Sequence, residues 1–388
     1  MNISVFNGTG QVDYMYGLVS GLACNKNDSI DVLDVDLTQE LFSGFENVNY
    51  VPVFKYYPRS ASVAVKTINI LRYYLLQFWF LVSHKPRIIH FQWLDRHIVI
   101  DRIILPAIAR LFGHKVVLTV HNINAGKRDN RDTSINRLTL RTLYRLSNKL
   151  IVHTPQSKVE LMNEFPVAES KIEVIKHGMN NRVAKKGTTT AQARLHFGLN
   201  EDDKVILFFG NIDYYKGLDI LIESLLILNK DRNCNYKVLI AGNSKSPEYT
   251  AQVLEKAADP RLKGCIDAKI QYIPDEDVEL YFMASDCIVL PYRNIYQSGV
   301  IFMAYTFGLP LIVTDVGNFR NDVIEGKTGF LVKPEDPEDL AKIIADYFKT
   351  DLYTELEKTR EEIQNWAWQN YSWEVIGSKT RELYLSIK

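Results

Sequence analysis

Apolar residues in this chain form short continuous runs that alternate with longer stretches of helical periodicity. In the first half, strand-like runs fall at 3–6, 30–37, 87–91, 115–120, 150–153 and 171–175, with helical patterns at 99–112, 134–149 and 156–165. The alternation restarts with strand-like runs at 204–209, 237–241, 270–273, 287–290 and 311–314 and helical patterns at 217–230, 248–258, 276–285 and 299–307. Continuously apolar strands separated by helices are typical of a parallel sheet with helices on both faces.

The restart of this pattern predicts two domains. Residues 181–203 are polar and irregular, and we interpret 181–200 as a linker between domains at 1–180 and 201–368. The end of the chain is helical from Glu338 with a break near 369–372, and we expect 369–388 to return to the first domain. The predicted fold class is α/β, with two Rossmann-like doubly wound domains facing a central cleft at the carboxyl ends of their sheets, where such sheets bind ligands.

One apolar stretch allows two interpretations. Residues 68–83 are apolar and aromatic, are interrupted by Arg72 and Gln77, and are too short for a comfortable membrane span. The pattern favours a buried helix, and an interfacial helix that touches lipid is the alternative. Residues 1–8 lack the basic start and apolar run of a signal peptide, so we expect a cytoplasmic protein, with a peripheral position at the inner face of the membrane left open.

The overall neutrality of the chain hides an asymmetry of charge. Residues 1–180 carry 21 Lys and Arg against 15 Asp and Glu, a net charge of +6, and the remainder carries −6 because the whole chain holds 46 of each. Basic side chains recur along one predicted helix face at Arg137, Arg141, Arg145 and Lys149, just after Lys127, Arg128 and Arg131. This stripe is either a solvated face or a surface for anionic lipid or the pyrophosphate of an acceptor. It lacks interleaved aromatic residues, so we do not expect nucleic acid as a partner.

Two loops in the second half have the composition of phosphate-binding turns. Gln297-Ser298-Gly299-Val300 lies between the strand-like run 287–290 and a predicted helix, where small side chains leave backbone N–H groups open to an anion. Upstream, Gly210-Asn211 and Lys216-Gly217 follow the strand-like run 204–209. Two such loops in one domain predict a diphosphate ligand.

These segments resemble the retaining glycosyltransferases of family 4, also called group 1, which have the GT-B fold. The resemblance is carried by Gly210 with Lys216-Gly217, by 274–286, by Ser298-Gly299-Val300 with Gly308-Leu309-Pro310, and by 315–332. It implies transfer of a sugar from a nucleotide-sugar donor of UDP or GDP type to an acceptor hydroxyl, in the synthesis of a cell-surface polysaccharide or glycolipid. The partners it implies are the nucleotide-sugar and a glycan or lipid-linked acceptor.

The resemblance, together with the positions of residues at strand ends and in glycine loops, predicts roles for single residues. Lys216 and His121, which ends the strand-like run 115–120, are the expected catalytic residues. Donor binding is expected from Gly8, Gly10, Gly210, Asn211, Gln297, Ser298, Gly299 and Val300. No cofactor beyond the donor and no metal is expected, because a lysine and helix N–H groups can stabilise the departing diphosphate. Asp34-Val35-Asp36 has the Asp-x-Asp form of metal-dependent transferases, and we favour solvent-facing positions of an edge strand.

The chain departs from the family pattern at three positions. Ile295 and Met303 stand where the family has two glutamates eight residues apart, and Asn211 stands where it has an arginine. The usual carboxylate contact to the ribose is therefore absent, and Gln297 is a candidate to replace part of it. These departures keep two alternatives open: a non-catalytic nucleotide-sugar-binding protein and a GT-B sugar-nucleotide epimerase.

Overall fold

The computed structural model describes residues 1–388 except positions 9–10, 59, 95, 125, 127–131, 181, 184, 231–235 and 296–297. The chain forms two compact units. The first comprises Met1–Gly178 and Tyr371–Lys388, and the second comprises Met179–Asn370.

The first unit is built on a parallel sheet whose described strands run in the order β3-β2-β1-β4-β5-β6-β7. The strands are β1 (Asn2–Phe6), β2 (Ser29–Val35), β3 (Val48–Phe54), β4 (Ile88–Phe91), β5 (Lys115–Thr119), β6 (Lys149–Val152) and β7 (Ile172–Val174). The helices are α1 (Val12–Ala23), α2 (Val63–Ser83), α3 (Leu105–Leu111), α4 (Ser134–Leu146), α5 (Pro155–Glu164) and α15 (Trp373–Leu385), with a π-helical turn at Ile100–Ile104 and 3₁₀ turns at Asp36–Phe42 and Glu169–Lys171.

Both faces of this sheet are buried, as its apolar strands require. Alternate side chains of a strand point to opposite faces, and the two sets join separate apolar cores. Phe6, Ile89 and Leu118 belong to one core. Val5 and Ile88 belong to the other, together with residues of α1 and α15.

The return of the chain to the first unit depends on a close helix contact. Helix α15 packs against α1, and a Cβ atom at Gly21 would lie 1.9 Å from the carbonyl oxygen of Trp373. The Ser372 side chain accepts a hydrogen bond from Val375 N and caps α15. The helical end of the chain is therefore broken at Ser372, within the predicted range.

The second unit holds a parallel sheet whose described strands run in the order β10-β9-β8-β11-β12-β13. The strands are β8 (Lys204–Phe209), β9 (Tyr236–Ala241), β10 (Ile266–Lys269), β11 (Cys287–Leu290), β12 (Leu311–Thr314) and β13 (Gly329–Val332). The helices are α6 (Thr190–His196), α7 (Leu218–Leu228), α8 (Pro247–Ala257), α9 (Asp275–Ala284), α10 (Gly299–Thr306), α11 (Phe319–Asp322), α12 (Pro337–Tyr347), α13 (Asp351–Thr354) and α14 (Leu356–Tyr371), with 3₁₀ turns at Tyr214–Lys216 and Pro260–Leu262. Because β8, β11 and β12 are parallel neighbours, their carboxyl ends meet at one edge.

The prediction of a strand at 270–273 was wrong. Strand β10 ends at Lys269, which pairs with Ala241, the last residue of β9. Residues 270–273 therefore lie past the end of the partner strand and have no ladder to join.

Candidate functional site

The loop after β8 has a backbone that requires glycine. Gly210 and Gly217 adopt positive φ angles of 108° and 65°, a region that glycine enters without steric cost. A Cβ atom at Gly217 would lie only 2.0 Å from the carbonyl oxygen of Pro291, in the segment that follows β11. Gly217 thus fixes the end of the 3₁₀ turn Tyr214–Lys216 and with it the position of Lys216.

Lys216 is directed into the second unit rather than into solvent. Its side chain is buried, and Nζ donates a hydrogen bond of 2.8 Å to Oη of Tyr292. Nζ also lies 4.7 Å from the centre of the Tyr292 ring. Oη of Tyr292 is in turn 3.4 Å from Oγ of Ser298, the residue before α10. These contacts join the β8 loop, the end of β11 and the start of α10.

The start of α10 is open towards an anion. Ser298 is the N-cap residue, and its side chain makes no capping hydrogen bond. The first N–H groups of a helix have no partner within the helix and carry the positive end of its dipole. Around a Cβ atom built at the exposed Gly299, no atom of the described residues beyond its two chain neighbours lies within 4 Å. The helix start therefore offers backbone donors, next to a buried lysine, for a phosphate group.

Gly210 lies between the lysine and this helix. A Cβ atom built on Gly210 would lie 3.3 Å from Nζ of Lys216 and 3.5 Å from Cγ2 of Val300. The structure therefore brings together Gly210, Lys216, Ser298 and Val300, which we name the cradle. Asn211, next in the chain, is exposed, whereas Gln297 lies outside the described residues.

A second set of contacts, not predicted from the sequence, connects two of the segments that carry the cradle. Arg293 donates two hydrogen bonds to the Asp219 carboxylate, at 2.9 and 2.7 Å, and its guanidinium lies 4.0 Å from the centre of the Tyr214 ring. Tyr249 also donates to Asp219. Burial acts to raise the pKa of Asp219, but the hydrogen bonds from Arg293 and Tyr249 outweigh it and lower that pKa. The ionised pair ties the start of α7 to the segment after β11.

The positions of the missing glutamates stay apolar. Ile295 and Met303 are both half-buried. Neither side chain can donate or accept a strong hydrogen bond, so neither can bind a ribose hydroxyl. At these positions the chain offers only packing.

In the first unit, Gly8 packs against the backbone of Trp93. A Cβ atom at Gly8 would lie 2.0 Å from the carbonyl oxygen of Trp93. Close packing of two backbone segments is therefore sufficient to explain the glycine. Gly10 lies outside the described residues.

His121 follows β5 and lies against several aromatic rings. It stacks on Trp93 with 3.6 Å between ring centres and meets the Tyr14 ring edge-on at 4.6 Å. Nε2 lies 3.2 Å from Oε1 of Gln92, and Nδ1 lies 3.4 Å from Nε2 of His153. Burial, followed by the neighbouring histidines, holds the pKa of His121 well below its usual value. The ring is therefore a neutral imidazole that can donate through one nitrogen and accept through the other.

The histidines around Tyr14 form a cluster that the sequence analysis did not foresee. The rings of His153 and His177 lie 5.3 and 5.1 Å from the Tyr14 ring. Burial lowers the pKa of His153 to about 3. Nδ1 of His153 lies 2.9 Å from the carbonyl oxygen of Ile175, which fixes the ring. His121 and His153 follow the parallel neighbours β5 and β6, whose carboxyl ends meet at one edge of the sheet. The sequence could have predicted from this rule that the two histidines lie close together.

The interpretation of Asp34 and Asp36 as solvent-facing residues of an edge strand was wrong. Strand β2 lies between β1 and β3, and Asp34 is buried, with its carboxylate accepting a hydrogen bond of 2.9 Å from Asn7. Burial raises the pKa of Asp34 to about 6. Asp36 accepts a hydrogen bond from the backbone N–H of Tyr56. Among the residues that the structure describes, no group of three His, Cys, Asp or Glu side chains is placed to hold a metal ion.

The basic helix and the apolar stretch also have defined surroundings. On α4, Arg137 forms ion pairs with Asp132 and Glu164, whereas Lys127, Arg128 and Arg131 lie outside the described residues. The stretch 68–83 forms most of α2. No helix in the described part of the chain is both long enough and apolar enough to cross a bilayer.

Both halves of the chain match known protein families. Residues 190–366 match the family model described as glycosyl transferases group 1, and residues 10–182 match that described as glycosyltransferase family 4. The chain belongs to the group 1, or family 4, glycosyltransferases and has their GT-B fold.

Its relatives are distant. The D-inositol 3-phosphate glycosyltransferase of Corynebacterium efficiens is 25% identical over 281 residues, which is 69% of this chain and 65% of the relative. The enzyme of the same name from Streptomyces avermitilis is 27% identical over 245 residues, 61% of this chain and 52% of the relative. The chain thus spans between about half and two thirds of the length of these curated relatives.

Solved structures agree with the fold over the whole chain. Anabaena Alr3699/HepE in complex with UDP superposes with a TM-score of 0.72 at 16% identity, covering 100% of both chains. Sucrose-phosphate synthase from Thermosynechococcus elongatus gives a TM-score of 0.70 at 15% identity, covering 100% of this chain and 99% of the other. At these identities the likeness shows the fold alone.

Proposed function

We propose that the protein is a retaining glycosyltransferase that moves a sugar from a nucleotide-sugar donor of UDP or GDP type to an acceptor hydroxyl. The observation that carries this proposal is the cradle, in which the buried Lys216 amine and the uncapped start of α10 are joined through Tyr292. In this proposal the second unit holds the nucleotide diphosphate. HepE has been solved in complex with UDP and with UDP-glucose, which supports a donor of this class.

The proposed chemistry follows from where charge develops. As the bond between the sugar and the diphosphate breaks, negative charge grows on the departing phosphate oxygens. The Lys216 ammonium and the N–H groups of Ser298, Gly299 and Val300 would stabilise that charge, at about 1.5–3 kcal/mol for each hydrogen bond to a charged group. We propose that these donors make a metal unnecessary. Retention requires the acceptor hydroxyl to approach the face from which the diphosphate departs.

The first unit is proposed to serve the acceptor and to contribute His121. A neutral imidazole can hydrogen-bond to a sugar hydroxyl or to a phosphate without adding charge, and His121 would do so by exchanging its contact with Gln92 or with His153 for the ligand. Gly8, Gly10, Asn211 and Gln297 remain proposed donor contacts. We propose a glycan or lipid-linked acceptor in the synthesis of a cell-surface polysaccharide or glycolipid. The curated relatives are named for a phosphorylated inositol acceptor, so such an acceptor belongs in any assay.

A donor and acceptor panel tests this proposal. Purified protein is incubated with UDP-, GDP- and ADP-sugars, together with lipid-linked, oligosaccharide and inositol phosphate acceptors. We expect one donor to release its nucleoside diphosphate as an α-linked product forms from an α-linked donor. A product with the inverted linkage would contradict retention.

The same panel separates the two rivals. Tight donor binding without turnover on any acceptor would favour the non-catalytic binding protein. Conversion of the donor to a different sugar nucleotide without an acceptor would favour the epimerase. Either result would overturn the proposal.

A further inference from the structure

The outer side of α2 carries an unusual apolar surface. Ile68, Leu71, Leu75, Phe78 and Trp79 are exposed by between 46% and 65% of their surface. We name these five residues the α2 outer face. With about 200 Å² for a side chain of this size, they present on the order of 600 Å² of apolar surface, the upper end of what monomeric proteins expose.

These residues lie on one side of the helix. A residue advances about 100° around an α-helix, so the positions 68, 71, 75, 78 and 79 fall within roughly a third of a turn. The opposite side, with Tyr73, Gln77, Phe80 and Leu81, is buried against the unit. A helix on a protein surface normally turns a polar side to water. The second apolar side of α2 therefore indicates that something other than water covers it.

The charge around α2 indicates what covers it. Residues 47–94 contain six Lys and Arg and no Asp or Glu. Of these, Lys55, Arg72 and Lys85 are exposed. Arg72 is held at the margin of the outer face, where Nη2 donates to the carbonyl oxygen of Pro52. Arg87 is paired with Asp31 and is not part of this surface.

Exposed apolar and basic residues also lie at the end of the neighbouring helix α3. Helix α3 packs beside α2 and ends with the exposed apolar residues Leu111 and Phe112, next to the exposed Arg110. Exposed apolar side chains interspersed with exposed bases, in a segment of the chain at 47–94 without acidic residues, match a bilayer surface with anionic lipid, in which apolar groups enter the acyl boundary and bases meet headgroup phosphates.

We propose that α2 lies in the plane of an anionic membrane, with its outer face inserted at the boundary of headgroups and acyl chains. The helix has 21 residues, so it lies along about 31 Å of the surface. It does not cross the bilayer, because its other side is part of the protein core. A second copy of the chain fits less well, since a two-fold contact through the outer face would bring like-charged margins together.

The membrane surface is therefore α2, and not the basic stripe on α4 that the sequence offered as a surface for anionic lipid. On α4, Arg137 is already engaged by two carboxylates, whereas no acidic residue lies on α2 or beside it in the chain. The inference rests on the proposed function only in that a lipid-linked acceptor would be met at this surface. Its test therefore uses binding alone.

The experiment is flotation of the full chain with vesicles. One set of vesicles contains phosphatidylcholine with phosphatidylglycerol, and the other contains phosphatidylcholine alone. We expect the protein to float with the anionic vesicles and to be released by high salt. The triple variant Leu71→Gln/Leu75→Gln/Trp79→Gln should bind at least roughly tenfold more weakly, because three inserted side chains are lost.

A matched control separates insertion from a general loss of apolar surface. Leu195 and Trp368 belong to the second unit and are exposed by 81% and 56%. Leu195→Gln/Trp368→Gln should float like the wild type. Arg72→Gln/Lys85→Gln should weaken binding to anionic vesicles and reduce its dependence on salt.

Three results would overturn the inference. The wild type would not float with either vesicle, or the triple variant would float as well as the wild type. The third is a dimer, detected by light scattering without lipid, that the triple variant abolishes, since a second copy would then cover α2. Thermal shift with UDP and GDP is measured on the same samples. Intact nucleotide binding without flotation would reject the membrane assignment and leave the proposed function standing.

Discussion

Replacing Lys216 with methionine removes the cation of the cradle while keeping a side chain of similar length. The lost interaction is a hydrogen bond between an ammonium and the departing phosphate, which contributes about 1.5–3 kcal/mol. At 1.36 kcal/mol for each factor of ten, turnover should fall by roughly 10- to 150-fold. The fold should survive, because Oη of Tyr292 keeps Oγ of Ser298 at 3.4 Å as a neighbour.

The assay is the initial rate of nucleoside diphosphate release at saturating acceptor and varied donor, with thermal unfolding measured on the same protein. Tyr292→Phe is the matched control, because it keeps the ring and removes only the hydroxyl that orients the amine. Tyr292→Phe leaves the Lys216 ammonium in place to meet the departing phosphate, so turnover should fall less than in Lys216→Met. A folded Lys216→Met protein with turnover within twofold of the wild type would refute the assigned role.

Three further predictions concern stability. Gly217→Ala should unfold at markedly lower temperature, because its Cβ atom would lie 2.0 Å from the carbonyl oxygen of Pro291, whereas Gly299→Ala meets no described residue beyond its chain neighbours within 4 Å and should unfold near the wild-type temperature; equal melting would contradict this account. Asp219 has a lowered pKa, so its stabilisation is full above the unfolded pKa and is lost as pH falls; in acid titrations of chemical unfolding, Asp219→Asn should lack that part of the decline. Burial lowers the pKa of His153 from about 6.5 to about 3, so between these two pH values its contribution to the free energy of unfolding should fall by up to about 1.4 kcal/mol for each pH unit; His153→Gln should show a shallower slope, and an unchanged slope would refute the burial argument.

The strands of the central sheets were predictable because their physics is local. Strands β8, β11 and β12 are continuously apolar, as burial on both faces demands, and they were predicted at their observed bounds. Strand β3 escaped prediction, because an edge position tolerates Asn49, Tyr50 and Pro52 and leaves no clear apolar run. Strand β13 begins at Gly329, the last residue of a Gly-Lys-Thr-Gly turn, and pairs in parallel with β12. Pairing direction depends on partners distant in the chain.

The residues of the candidate site also divide into those predicted from local spacing and those that depend on contacts distant in the chain. Lys216 and Ser298 were predicted from loop spacing, because each belongs to a turn that directly follows a strand. Tyr292 was not singled out, although it joins these two residues and lies 76 positions from Lys216. The contact between Arg293 and Asp219 spans 74 positions. Such contacts arise from the order of strands in the sheet, which the apolar pattern does not specify.

Calorimetric titration of the wild type and of Lys216→Met with nucleosides, their monophosphates and their diphosphates tests the central claim most directly. If the cradle binds a diphosphate, affinity for UDP or GDP should exceed that for the matching monophosphate by at least roughly tenfold, the free energy of one charge-assisted hydrogen bond. That difference should shrink in the Lys216→Met protein. Equal affinity for monophosphate and diphosphate, or the same difference in both proteins, would contradict a diphosphate cradle at Lys216 and the start of α10.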